Sequence, residues 1–355
     1  MSLFERRRAR MCEWLAETGT AAALISLPAN VRYLSGFAGE GHLVLTGGNG
    51  AVCTDSRYEL QAKEEASGLE TIINVNGQLA SVNEFLNAQG VSLLAFEEHV
   101  ITYAQFQQLA EQFGSENLKP VQGAVEKLRI VKDAEEIDAI RKAAQITSRS
   151  LTELLSELGP GPTEREVALE LDRRMVMNGA DDAAFDTIVA SGPSAACPHA
   201  SPGQRRLAEG EMVKIDVGCR LNGYCSDMTR TVFFGEPTAQ FVELYNVVLD
   251  AQEAALEVVG AGLSCAELDG TARAAIEAAG FGEYFTHSLG HGVGLEVHEA
   301  PRVSTRSDET LEAGMVVTLE PGIYMEDWGG IRIEDLVVVT EDGCEVLTET
   351  PKIRY

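Results

Sequence analysis

Asp216, Asp227, His291, Glu320 and Glu334 are the residues of this sequence whose types and settings best suit chemistry. Asp216 and Asp227 flank Asn222-Gly223, and an Asn-Gly pair between β-like runs is the strongest short-range hairpin signal. With those two residues as the loop, Asp216 faces Thr229 and Asp227 lies diagonal to it on the same face, about 7–8 Å away at Cα. Two carboxylates then converge on a strand otherwise built from Val213, Ile215 and Val217. Taken alone, they read equally well as surface aspartates beside a turn.

The stretch from Phe285 to Arg302 holds His287, His291 and His298, three of the six histidines. His287 and His291 are four apart, but Ser288 stands where a helical zinc motif needs Glu, and Gly290, Gly292 and Gly294 oppose a helix. The glycine spacing also fails the dinucleotide fingerprint. Such a stretch instead lets backbone approach a ligand. Glu320 ends an apolar strand at the Pro321-Gly322 turn, and Glu334 sits inside the strand that returns. An ionised Glu among Ile, Leu and Val is costly unless it is paired, here with Arg332, Lys214 or Arg230, or bound to a metal.

Four carboxylates and one imidazole would repel one another in a dry cleft without cations. Two divalent ions supply the matching charge, and bridging carboxylates suit a pair about 3.5–4 Å apart. Oxygen-rich ligation with one histidine points to Mn2+, with Co2+ and Zn2+ as the other candidates.

The elements that must position these groups fall into two domains, 1–125 and 126–355. In the first, Phe4–Glu17, Asp55–Ala66, Ser81–Asn87 and Ala104–Phe113 read as helices. Ala22–Ile25, His42–Leu45, Ala51–Thr54, Thr71–Val75 and Ser92–Phe96 read as strands, an α/β alternation with no ligand cluster. In the second, Asp133 and Glu136 open a long helix toward Gly159. An internal echo follows: Thr163, Glu166 and Gly179 recur as Ser264, Glu267 and Gly280, each pair an N-cap, a capping-box partner and a terminating glycine. Both copies run into β-rich sequence, so an α+β domain of two related halves is expected, with a ligand cleft between them.

Composition narrows the partners. The 355 residues carry 28 Lys plus Arg against 55 Asp plus Glu, a net charge of −27, which repels phosphate backbones and anionic lipid, so neither nucleic acid nor membrane is expected. No apolar run approaches the roughly 20 residues of a membrane span, and no secretory apolar core develops after the basic start. Seven scattered cysteines without a CxxC pair read as reduced thiols, hence a cytoplasmic location.

Ile215-Asp-Val-Gly218, Ser226-Asp-Met-Thr-Arg230, His287-Ser-Leu-Gly-His-Gly-Val-Gly294, Val297-His-Glu299, Leu319-Glu-Pro-Gly-Ile-Tyr324 and Arg332-Ile-Glu-Asp335 together resemble the M24 metallopeptidase family, in its Xaa-Pro dipeptidase (prolidase) and aminopeptidase P branch. Asn30-Val-Arg-Tyr-Leu-Ser-Gly-Phe37 and Thr54-Asp-Ser-Arg-Tyr58 are similar to its creatinase-type N-terminal domain. The resemblance implies an α+β pita-bread (creatinase/aminopeptidase-like) catalytic domain behind a smaller α/β domain, commonly as a homodimer. It implies Asp216, Asp227, His291, Glu320 and Glu334 as ligands of two metals, with Glu320 also the proton shuttle. His199, His287 and His298 would position substrate and stabilise the tetrahedral oxygen, and Arg332 would orient the carboxylates. Short proline-containing peptides are the implied substrates. Arg302 matches an arginine that binds the free proline carboxylate in some prolidases, which favours a dipeptidase. The alternatives are an Xaa-Pro aminopeptidase acting on longer peptides and, more remotely, a non-catalytic protein-binding pita-bread module.

Overall fold

The computed structural model describes residues 2–73 and 78–355, and the chain divides into two compact units, Met1–Arg129 and Ile130–Tyr355. The first is a six-stranded sheet in the order Glu70–Ile73, Gly50–Thr54, Gly41–Thr46, Ala22–Ile25, Leu94–Glu97 and Leu118–Val121. All four residues of Ala22–Ile25 are buried, as an apolar run with no polar alternation demands of a central strand. The helix expected over Asp55–Ala66 begins only at Glu59. Asp55 accepts the Arg57 N–H at 2.9 Å, a local turn that competes with helix. Of the extended segment expected over Thr71–Val75, Asn74 and Val75 lie outside the described residues. The unit extends beyond residue 125 through the short helix Glu126–Arg129, because Arg129 donates to Asn30 Oδ1 at 2.7 Å and the Tyr33 hydroxyl donates to the Leu128 carbonyl at 2.9 Å.

The second unit is built twice over. Asp133 caps the helix Ala134–Glu157 through a reciprocal box with Glu136. Thr163 with Glu166 and Ser264 with Glu267 do the same for Glu164–Met177 and Cys265–Ala278. Gly179 and Gly280 follow with φ of 109° and 89°, the left-handed region that glycine occupies without strain. The loops match bond for bond. Gly161 donates to Leu207 and Leu207 to Pro162 at 2.9 Å each; in the second copy Gly262 donates to Leu311 at 2.8 Å and Leu311 to Leu263 at 2.9 Å.

The strands repeat as well. Met212–Val217 lies antiparallel between Ile188–Ser191 and Met228–Phe233, with Asp216 opposite both Ile188 and Thr229. Val316–Leu319 lies between Gly290–Gly292 and Asp335–Thr340, and just beyond its end the Glu320 N–H donates to the Leu289 carbonyl at 2.8 Å. In this correspondence Glu320 is the counterpart of Asp216, Thr318 of Lys214, and His291 of Ala190. Asp227 and Glu334 occupy similar places, each one residue before a strand. The copies meet where the Glu334 N–H donates to the Thr229 carbonyl at 3.1 Å and the Thr231 hydroxyl to the Arg332 carbonyl at 2.9 Å.

The Asn222-Gly223 turn sets the hairpin register, with φ of 50° and 82° as a two-residue primed turn requires. Its ladder breaks at Gly218 and Asp227, between the Met228–Val217 and Arg220–Cys225 pairings. A Cβ on Gly218 would lie 2.0 Å from the Ser226 carbonyl oxygen. Gly218→Ala must therefore move backbone beside Asp227, and is expected to lower stability by about 1–3 kcal/mol, read as a shifted denaturant midpoint, and to reduce metal uptake.

Candidate metal centre

One cleft of about 690 Å³ in the second unit is lined by Asp216, Asp227, His291, Glu320 and Glu334, and by His199, His287, His298, Arg302 and Arg332. Asp227, Glu320 and Glu334 each stand just outside a strand end, whereas Asp216 sits within Met212–Val217 opposite Ile188 and Thr229. Ligand atoms of Asp227, His291 and Glu334 lie within 4.8 Å of one another. His291 Nε2 is 3.6 Å from Asp227 and 3.2 Å from Glu320.

Arg332 is the cation at the centre of this acid. It donates to Asp216 Oδ2 at 2.5 Å, to the Thr229 hydroxyl at 2.9 Å and to the Tyr324 hydroxyl at 2.8 Å, and it stands 3.8 Å from Glu320. Of the other two cations the sequence offers as partners, Lys214 Nζ points to the carbonyls of Ala195, Cys197 and Pro198, where burial brings its ammonium down to about 7. Arg230 pairs with Asp335 at 2.7 Å on the far side of the seam. One guanidinium against four carboxylates leaves a large excess of negative charge in a buried place, which only cations or protons can neutralise.

The acids respond accordingly. Burial, and then the charges of Glu334, Asp216 and Glu320, holds the Asp227 carboxyl well above its ordinary range. Burial, and then Glu320 and Asp216, does the same to Glu334, whose Oε2 takes the Thr229 hydroxyl at 2.6 Å. Burial also pushes Glu320 upward, but the hydrogen bond and charge of His291, followed by Arg332, outweigh it and bring Glu320 down to about 2. The buried Asp216 Oδ1 has no hydrogen-bond partner among the described residues. An orphaned oxygen beside two carboxyls forced toward protonation fits a bound cation, and the donor set of carboxylate oxygens with one imidazole fits divalent ions.

The histidines are not equivalent. His287 Nδ1 lies 2.8 Å from the Ser288 carbonyl and Nε2 lies 3.0 Å from the Tyr324 hydroxyl. The carbonyl can only accept, so Nδ1 carries the proton and Nε2 accepts from Tyr324. Both nitrogens are thereby engaged within the protein, and His287 anchors Tyr324 while lining the cleft. His298 packs edge-on against His291 with ring centroids 4.3 Å apart, and burial, then His291, lowers its pKa. His199 is exposed at the rim. Arg302 is exposed, and its backbone N–H is held by Glu309 at 3.0 Å.

Tyr324 and Thr318 were not singled out from the sequence as working residues. Thr318 donates to Glu320 Oε1 and accepts the His291 N–H, both at 3.1 Å. Strand parity carries a signal for Tyr324, because Gly322 pairs with Arg332 across a tight hairpin, placing Tyr324 diagonal to it on the same face. Nothing in the sequence announces Thr318.

Residues 138–341 match the model of metallopeptidase family M24, and residues 7–131 match the creatinase/prolidase N-terminal domain. The Xaa-Pro dipeptidase of Pyrococcus furiosus is 37% identical over 98% of this chain and 99% of its own. Among solved structures, an Xaa-Pro dipeptidase from Bacillus anthracis superposes with a TM-score of 0.95 at 39% identity over 99% of both chains. An X-Pro aminopeptidase from Thermotoga maritima does so with 0.89 at 39% identity, over 94% of this chain and 97% of that one. With carboxylates and imidazole gathered in one cleft and the match running through both domains, this chain is a peptidase of metallopeptidase family M24, a family whose enzymes work with divalent metal.

Proposed function

We propose that the protein hydrolyses the bond preceding proline in Xaa-Pro dipeptides, using Asp216, Asp227, His291, Glu320 and Glu334 to hold a pair of divalent ions, Mn2+ first among them. The observation that carries the substrate assignment is Arg302, exposed on the wall of the same cleft that holds the acids. Its guanidinium suits the free carboxylate of a C-terminal proline in a bidentate pair. Bound metal supplies polarisation of the scissile carbonyl and acidification of water.

This chain's own residues do the rest. Glu320, kept ionised, takes a proton from the attacking water as the new C–O bond forms, then gives it to the proline nitrogen as the C–N bond breaks. His298 and His199 face the carbonyl side, where an N–H donor stabilises the oxygen as charge develops. Arg332 holds Asp216 in place through its fork of donors. All seven cysteines are free, which supports a reducing, cytoplasmic setting. A homodimer follows the resemblance and is checked by sedimentation.

The Thermotoga maritima relative favours a second reading, an aminopeptidase acting on longer Xaa-Pro peptides. Kinetics of the Mn2+-loaded enzyme on an Xaa-Pro dipeptide and an Xaa-Pro-Yaa tripeptide separate the two. Cleavage of the dipeptide alone supports the dipeptidase, cleavage of the tripeptide alone the aminopeptidase, and cleavage of neither ends the proline assignment. Arg302→Ala is expected to cut kcat/KM on the dipeptide by about 10- to 100-fold, the worth of a charge-assisted pair, while sparing the tripeptide. Equal losses on both would remove its role.

A further inference from the structure

Lys214 is wholly buried, and nothing in the mechanism above uses it. It shares a strand face with Asp216 two residues on, yet its Nζ turns from the acids to three carbonyls, Ala195 at 3.1 Å, Cys197 at 2.7 Å and Pro198 at 3.3 Å, and lies 4.9 Å from the centre of the Tyr324 ring. These carbonyls close the short helical turn Gly192–Ala196, whose other end is fastened by the buried Glu164. That carboxylate accepts the Ser191 N–H and the Ser191 and Ser194 hydroxyls at 2.8, 2.9 and 2.6 Å. The segment is thus clamped at both ends, and the next residue after Pro198 is His199.

His199 lines the cleft and is exposed, with no hydrogen bond to any described residue. Its place is therefore set by the backbone that carries it. The internal duplication sharpens the contrast. Thr318, the counterpart of Lys214 in the second copy, supports the neighbouring acid Glu320, whereas Lys214 makes no hydrogen bond to Asp216 and grips the loop.

We propose that Lys214 is a positioning residue for substrate binding: it fixes the 195–198 backbone beneath Tyr324 and so holds His199 at the reacting carbonyl. This rests on the reading of His199 as a substrate contact. Misplacement of such a contact by about 1 Å is enough to cost orders of magnitude, and a loosened contact weakens binding before it affects the acids.

The test is a double-mutant cycle on the Mn2+-loaded full-length enzyme with an Xaa-Pro dipeptide, using Lys214→Met, His199→Ala and the double variant, with metal content measured on each. The expected result is a rise in KM of about tenfold for Lys214→Met with a smaller change in kcat, unchanged metal per chain, and little further loss when Lys214→Met is added to His199→Ala. Losses that multiply in the double variant, or a Lys214→Met enzyme that loses its metal, overturn the proposal. His199→Ala with unaltered kinetics would instead remove the underlying reading of His199. Should Lys214→Met fail to fold, Lys214→Gln keeps a shorter donor, and the same cycle decides, with an intermediate KM expected and a parental KM contradicting the role.

Discussion

Asp227→Asn is expected to lower turnover by more than about 100-fold, beyond what loss of an outer-sphere partner costs a metal enzyme, and to reduce the metal retained per chain. The same substitution should stabilise the stripped protein. Asp227 is held above its ordinary range by burial and then by Glu334, Asp216 and Glu320, so the folded state binds that proton more tightly than the unfolded chain does. The contribution of Asp227 to the stability of the chelated parent must then fall as pH climbs from the ordinary aspartate value of 3.8 up to the raised one, beyond which its whole penalty is present. Asparagine, with no charge to lose, escapes this decline. Thermal melts in chelator at pH 7 should place the variant above the parent, with the order reversed after metal is added. A variant that binds metal like the parent would rule out Asp227 as a ligand.

Arg332→Met carries the second large effect, on stability. It removes the guanidinium from Asp216, Thr229 and Tyr324 at once and leaves Asp216 buried beside other acids. Breaking a buried pair from one side costs about 3–5 kcal/mol, or roughly 2–4 °C for each kcal/mol in a domain of this size. The loss should be largest in chelator and smaller with metal present, because bound cations take over part of the neutralisation of Asp216. Arg332→Lys restores charge without the planar fork, so it should recover part of the melting temperature and little of the activity. Equal melting of parent and Arg332→Met in chelator would contradict the arrangement.

The parts of this architecture legible in the sequence were those set by local rules. The Asn222-Gly223 turn fixed the pairing of Asp216 with Thr229, and three capping boxes placed three helix starts. The acids stood out because charge is rare in strands of Val and Ile. What could not be read locally was which cation meets which acid. Arg332, Lys214 and Arg230 look alike along the chain, and only packing across the seam sends the first to Asp216, the second to backbone carbonyls and the third to Asp335. The engagement of His287 Nε2 likewise depends on Tyr324, from the strand Gly322–Met325.

Because the acids are split two and two between the copies, neither copy alone encloses a complete set of donors. A polypeptide holding a single copy would have had to pair with itself, and strict symmetry would have given it matching ligands on both sides. Joining the halves in one chain lifts that constraint, so a histidine can stand at 291 where alanine serves at 190, and lysine at 214 where threonine serves at 318. Severing the chain between Gly235 and Thr238, ahead of the second copy's first helix, should give fragments that bind cations tightly only when mixed.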